Sequence, residues 1–107
     1  MDSLLTINYS NMSRLSSTDS LIENEFISLY KQYQSIKCCI VSVASLDYLP
    51  KSGSCYQVGI NLQMQSDQSF FVVRNPSYAS QTEFIELVVT DAFNTLKRQL
   101  DDVLKVA

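Results

Sequence analysis

The 107-residue chain predicts an α+β fold: one four-stranded sheet with two helices on a single face, in the order strand, helix, strand, strand, strand, helix. Three observations carry that expectation. Apolar residues recur at three- and four-residue steps over the last quarter of the chain, the signature of one long amphipathic helix. From Tyr56 to Met64 the period drops to two, as in a half-buried strand. The composition is 46% apolar with only two Gly and two Pro, which suits a single compact domain spanning residues 1–107 rather than a loop-rich or disordered chain.

In chain order, Leu5, Ile7 and Tyr9 alternate with Thr6 and Asn8, predicting a first strand. Asn11 to Leu15 reads as a polar connection. Ile22, Phe26, Leu29 and Tyr33 then step by four, three and four residues, which stacks them on one face of a helix from about Ser17 to Gln34. From Ile36 the period changes again. Cys39, Val41 and Val43 alternate with Cys38, Ile40 and Ser42 in a β-branched run, apolar on both faces, as for a central strand or one with a second covered surface. Asp47 to Ser54 is a loop punctuated by Pro50 and Gly53. Tyr56, Val58, Ile60, Leu62 and Met64 form the inward face of the third strand. Ser66 to Ser69 is a short hairpin connection of unspecified turn type, and Phe70 to Arg74 is a fourth strand stopped by Asn75-Pro76. The closing helix runs from Thr82 to Val106. Its stripe comprises Ile85, Val88, Val89, Ala92, Phe93, Leu96, Leu100 and Val103. Thr82 is a plausible N-cap, in competition with a Ser80-x-x-Glu83 capping box.

Composition also narrows the chemistry. There is no His, and three Cys show no metal-ligand spacing, so free structural thiols are expected and no metal or cofactor. No Gly-rich phosphate loop, clustered carboxylates or activated nucleophile points to catalysis. Nothing approaches the ~20 apolar residues of a membrane span, which makes a soluble, cytoplasmic protein the expectation. Eight basic residues face eleven acidic ones, for a net charge of −3, a poor basis for strong nonspecific nucleic-acid binding.

Several segments in series resemble a known family. They are Asn11-Met12, Ile22 to Leu29, Cys39 with its Val-rich strand, Gly53 with Tyr56-x-Val58-x-Ile60-x-Leu62, and Phe71-Val72-Val73. The most specific is Asp91-Ala92-Phe93 followed by Arg98-Gln99-Leu100-Asp101-Asp102. Collinear from Asn11 to Asp102, they resemble the ribosome hibernation-promoting and ribosome-associated inhibitor (protein Y) family, in a short form. The resemblance implies a β-α-β-β-β-α domain similar to a double-stranded-RNA-binding domain. It implies a bacterial, non-enzymatic factor that occupies the decoding channel of the small ribosomal subunit and inhibits translation during stress or stationary phase. Contact would be to ribosomal RNA phosphates, by charge and shape.

On that reading the candidate RNA-binding residues are Arg14, Lys31, Lys51, Arg74, Lys97, Arg98 and Lys105. Some also have a structural reading. Arg98 is placed to pair with Asp101 and Asp102, and Asp101 with Lys105, at helical spacing. Lys31 complements the dipole at the end of the first helix. The family pattern carries basic residues where this chain has Glu23, Glu25 and Ser28, and a cation-rich loop where it has Lys51 alone. That difference supports a second function class, a protein-interaction or dimerisation module that kept the fold and lost the basic surface. Tyr48, Leu49, Phe84 and Leu87 are its candidate contacts. A contiguous face uniting Arg14, Arg74, Lys97 and Arg98 distinguishes the first class from the second.

Overall fold

The structure, a computed structural model, describes residues 4–46, 55–76 and 84–104. Strands β1 (Leu5–Ser10), β2 (Ile36–Ser45), β3 (Tyr56–Met64) and β4 (Ser69–Arg74) form one sheet in the order β1-β2-β3-β4, with helices α1 (Ser16–Gln32) and α2 (Ile85–Leu104). β1 pairs parallel to β2, with Leu5 opposite Cys39, while β2–β3 and β3–β4 are antiparallel. The parallel pair requires a crossover, and α1 is that crossover. The expected element order holds, with α1 starting and ending one or two residues earlier than its periodicity suggests.

Alternation sorts each strand cleanly. Ile7 of β1, Cys39, Val41 and Val43 of β2, Val58, Ile60 and Leu62 of β3, and Phe70 and Val72 of β4 are buried against the helices. From α1 come Ile22, Phe26 and Leu29, and from α2 come Ile85, Val88, Val89, Ala92, Phe93, Leu96 and Leu100, completing one core. Val103, the last residue assigned to the α2 stripe, is instead 56% exposed. The next residue, Leu104, packs against the core instead, so the last turn of α2 partly buries Leu104 in place of Val103. α2 lies over β3 and β4, and α1 packs beside α2 with lighter contact to β1. Glu25 meets Lys97, and eight residues further along α1 Tyr33 meets Asp101, so the two helices run side by side in the same direction.

Two non-glycine residues adopt left-handed backbone, Asn11 at φ 61° and Asp67 at φ 70°. Both are short polar types that tolerate that region. Asp67 turns the β3–β4 hairpin, where Asp67 N–H donates to the Met64 carbonyl at 3.0 Å and Met64 N–H to that of Gln68 at 2.9 Å.

Among the described residues no helix lies on the opposite face of the sheet. Ile40 in β2, and Phe71 and Val73 in β4, are exposed there, so among the described residues the second apolar face of β2 goes with its central position and not with a second covering layer. The cysteines are all free. Burial, with Cys38 alongside, pushes the Cys39 thiol up to about 12, so it stays protonated and unreactive at mildly alkaline pH. Alkylation of the native protein is expected to modify half-exposed Cys38 first, and buried Cys39 and Cys55 only on unfolding. Mass spectrometry showing early Cys39 labelling would contradict this packing.

Candidate nucleic-acid interface

The basic side chains fall into three neighbourhoods. At the β1 edge, Asn11 turns the chain back along the strand and its Nδ2 donates to the Ser45 carbonyl at 3.0 Å. This brings Arg14 alongside β1. Its Nη2 donates to the Ile7 carbonyl at 2.9 Å and its Nη1 to Asp19 Oδ2 at 2.8 Å, while the guanidinium lies 5.2 Å from the Tyr9 ring centroid. Tyr9 Oη donates to the other Asp19 oxygen at 2.8 Å. Because Leu4 offers its carbonyl to Cys39 of β2, strand alternation turns that of Ile7 to the free edge, where Arg14 caps it. A bonded edge carbonyl is a poor template for another strand. Arg14 thus has a structural role whatever else it does.

The second neighbourhood lies between β4 and α2. Arg74 sits opposite core-facing Val58, so its side chain turns to the helix side. Its Nε and Nη2 donate to Asp91 Oδ2 at 3.4 and 3.3 Å, and Nη1 donates to the Asn75 carbonyl. Arg98 follows Asp91 by two helical turns on the same side of α2 and donates to Thr95 Oγ1 at 3.3 Å. Arg74, Asp91, Asn94, Thr95 and Arg98 line an open concavity of about 630 Å³. The expected pairing of Arg98 with Asp101 or Asp102 is not among the described ion pairs. Asp101 instead accepts from the Tyr33 hydroxyl of α1, which orients it toward the neighbouring helix.

Third, Lys97 Nζ pairs with Glu25 Oε1 at 3.0 Å, both side chains partly buried, clipping α2 to α1. Lys31 is exposed in the last turn of α1, where a cation complements the helix dipole. Lys51, Lys105, Tyr48 and Leu49 lie outside the described residues, as does the Thr82 cap. Leu87 is exposed on the solvent side of α2, and Phe84, the residue before that helix, is exposed as well.

The described residues do not unite Arg14, Arg74, Lys97 and Arg98 on one contiguous face, the arrangement that would favour the first function class over the second. Arg14 stands at the β1 edge and Arg74 at the β4 edge, the two extremes of the sheet. Only Arg74 and Arg98 converge. Sequence reasoning missed the carboxylates that hold these cations. Nothing local couples Asp91 to Arg74 or Glu25 to Lys97. Among the described residues no group of three or more Cys, Asp or Glu is placed to hold a metal ion, and no helix is long and apolar enough to cross a membrane.

Two tyrosines report on this network. The Tyr9 hydroxyl is raised to about 12 by burial and by its bond to Asp19, and that of Tyr33 to about 12, chiefly by its bond to Asp101. Both exceed the ordinary value near 10, so the folded state favours the neutral phenols. That stabilisation is complete below pH 10 and is lost as pH rises from there through 12. Asp101→Asn is expected to lower the Tyr33 titration more than Asp19→Asn lowers that of Tyr9, where burial leads. Ultraviolet difference titration of the two variants measures both shifts.

The architecture defines a class: a two-layer α+β domain of the ribosomal subunit interface and protein Y fold. A ribosomal subunit interface protein from Coxiella burnetii superposes with a TM-score of 0.71 at 11% identity, over 92% of this chain and 93% of that one. The N-terminal domain of Thermus thermophilus Protein Y superposes with a TM-score of 0.64 at 10% identity, over 92% of this chain and 96% of that one. No protein-family model matches the chain, and no curated protein matches it by sequence.

Proposed function

We propose that this protein is a non-enzymatic, cytoplasmic, ribosome-associated factor that binds the small subunit through ribosomal RNA phosphates and restrains translation in stress or stationary phase. The observation that carries the reading is the end-to-end likeness to a ribosomal subunit interface protein, covering more than nine-tenths of both chains. The concavity between β4 and α2 supports it. Arg98 is exposed there beside the Asn94 amide, and Arg74 adds charge next to Asp91. A phosphate accepting from Arg98 and Asn94 would gain charge-assisted bonds. Lys31 supplies a further exposed cation.

A second reading, an interaction module without RNA contacts, draws support from the carboxylates. Arg14, Arg74 and Lys97 each already pair with an acid. Sucrose-gradient sedimentation of stationary-phase lysate separates the two. Comigration with small subunits at low salt, reduced by Arg98→Glu and Lys31→Glu, supports ribosome association. Absence from ribosomal fractions at low salt favours the second reading.

A further inference from the structure

The open face of the sheet is chemically unlike the rest of the surface. Across its middle, the cross-strand rungs read Thr6–Ile40–Asn61–Phe71 and Asn8–Ser42–Gly59–Val73. Above and below them stand Ser10, Ala44 and Gln57, and Cys38, Gln63 and Ser69. None of these side chains is charged at neutral pH, in a chain that is 18% charged. The described acids lie on α1, on α2, and at Asp67 in the β3–β4 turn. A sheet face left to water ordinarily carries charge among its outward residues.

The relief of the face matters as well. Phe71, 64% exposed, and Val73 make a ridge along β4. Beside them Gly59 leaves a gap, part of a shallow concavity of about 350 Å³ that Ile40, Ser42 and Asn61 also line. A Cβ at Gly59 would meet only the Val72 carbonyl oxygen, at 3.8 Å, so the backbone does not demand glycine there. Polar groups at the ends of the face already satisfy one another. Gln57 Nε2 donates to Asn75 Oδ1 at 2.7 Å, and Cys38 Sγ to Gln63 Oε1 at 3.5 Å, which lowers the cost of removing them from water.

We propose that this face is a homodimer interface, on which a second copy of the same chain packs sheet to sheet about a two-fold axis. Three observations select that occupant. An uncharged surface offers nothing to phosphates or to a strongly charged partner, but it is electrostatically compatible with itself. A two-fold axis sets each copy's Phe71 ridge against the trough at Gly59 of the other, a self-complementary arrangement that only a ridge and trough on one face can make. Pairing the open sheets also puts both helical layers outside. With layers ~10 Å apart, the acidic helices of the two copies end up ~30 Å from each other, beyond the ~8–10 Å screening length of physiological salt. The net charge of −3 per chain then opposes this pairing least. The paired face, about 20 Å on a side by strand spacing and rise, covers only ~400 Å² per copy, below the ~1,200 Å² total of standard specific interfaces, so the association is weak and populated only at high concentration. Ribosome association is not assumed, because Arg98 and Lys31 lie on the helical side.

Sedimentation velocity of the full chain, from low to high micromolar concentration and at low and high salt, tests the interface. A monomer–dimer equilibrium little changed by salt is expected. Phe71→Asp should weaken it about tenfold or more. Gly59→Val should do likewise while leaving the thermal midpoint unchanged or higher, because valine suits a strand better than glycine. That second variant separates loss of the interface from loss of the fold. A chain monomeric at every concentration, a dimer dispersed by salt, or a dimer indifferent to both substitutions overturns the proposal.

Discussion

Phe93→Ala is expected to cost about 3–5 kcal/mol, close to the entire stability of a domain this size. Phe93 is fully buried on the inner face of α2, in the same cluster as Phe26 and Leu29 of α1 and Ile60 and Leu62 of β3. The sheet and both helices converge there. Removing the ring leaves a cavity that three elements would have to move together to fill. Chemical denaturation, with the midpoint and slope measured together, gives the number. A loss under 1 kcal/mol would mean that α2 does not lie over the sheet as described. The exposed counterpart Phe84→Ala should change stability little, which makes the pair an internal control.

Under the proposed function, attachment to the small subunit is expected to be lost steeply with salt. About four or five phosphate contacts lose roughly 10²–10³ in affinity between about 50 and 200 mM salt. Arg98→Gln should weaken binding and reduce the salt slope by close to one counterion, because Arg98 is exposed and its described bond is to a neutral hydroxyl. Arg14→Gln tests something different. It breaks the bonds to Asp19 and to the Ile7 carbonyl, so its first effect should be on the β1 edge and on thermal stability. Filter binding or co-sedimentation over a salt series, with the thermal midpoint of each variant alongside, separates these outcomes. Binding that does not respond to salt would exclude phosphate contacts as its source.

How much of this was legible in the sequence depends on the range of the interactions. Period-two and period-3.6 patterns are local, and they placed all six elements, the buried face of β3, and the exposure of Phe84 and Leu87. Val103 failed because the last turn of α2 presents Leu104, one position further on, to the core. The candidate cations were identifiable as residue types, but their commitments were not. Lys97 is engaged by Glu25 from the other helix, and Arg74 by Asp91 across the sheet–helix boundary. Such partners are set by packing, which single-residue spacing does not encode. The parallel placement of β1 beside β2 also had no local signal, since nothing in Leu5 to Tyr9 announces the direction of a neighbour.

That parallel pairing has a consequence in time. β2, β3 and β4 follow one another in the chain, and neighbours in that order can zip across short connections. β1 leaves the ribosome first but has no partner until α1 and β2 have both emerged, and its pairing closes a much longer loop. The first strand to be made is therefore the last to find its place, and until then its free edge is open to other chains. Arg14 can bond the Ile7 carbonyl early, because the two lie close in sequence. In the finished fold the same bond caps the edge of β1 that β2 leaves open.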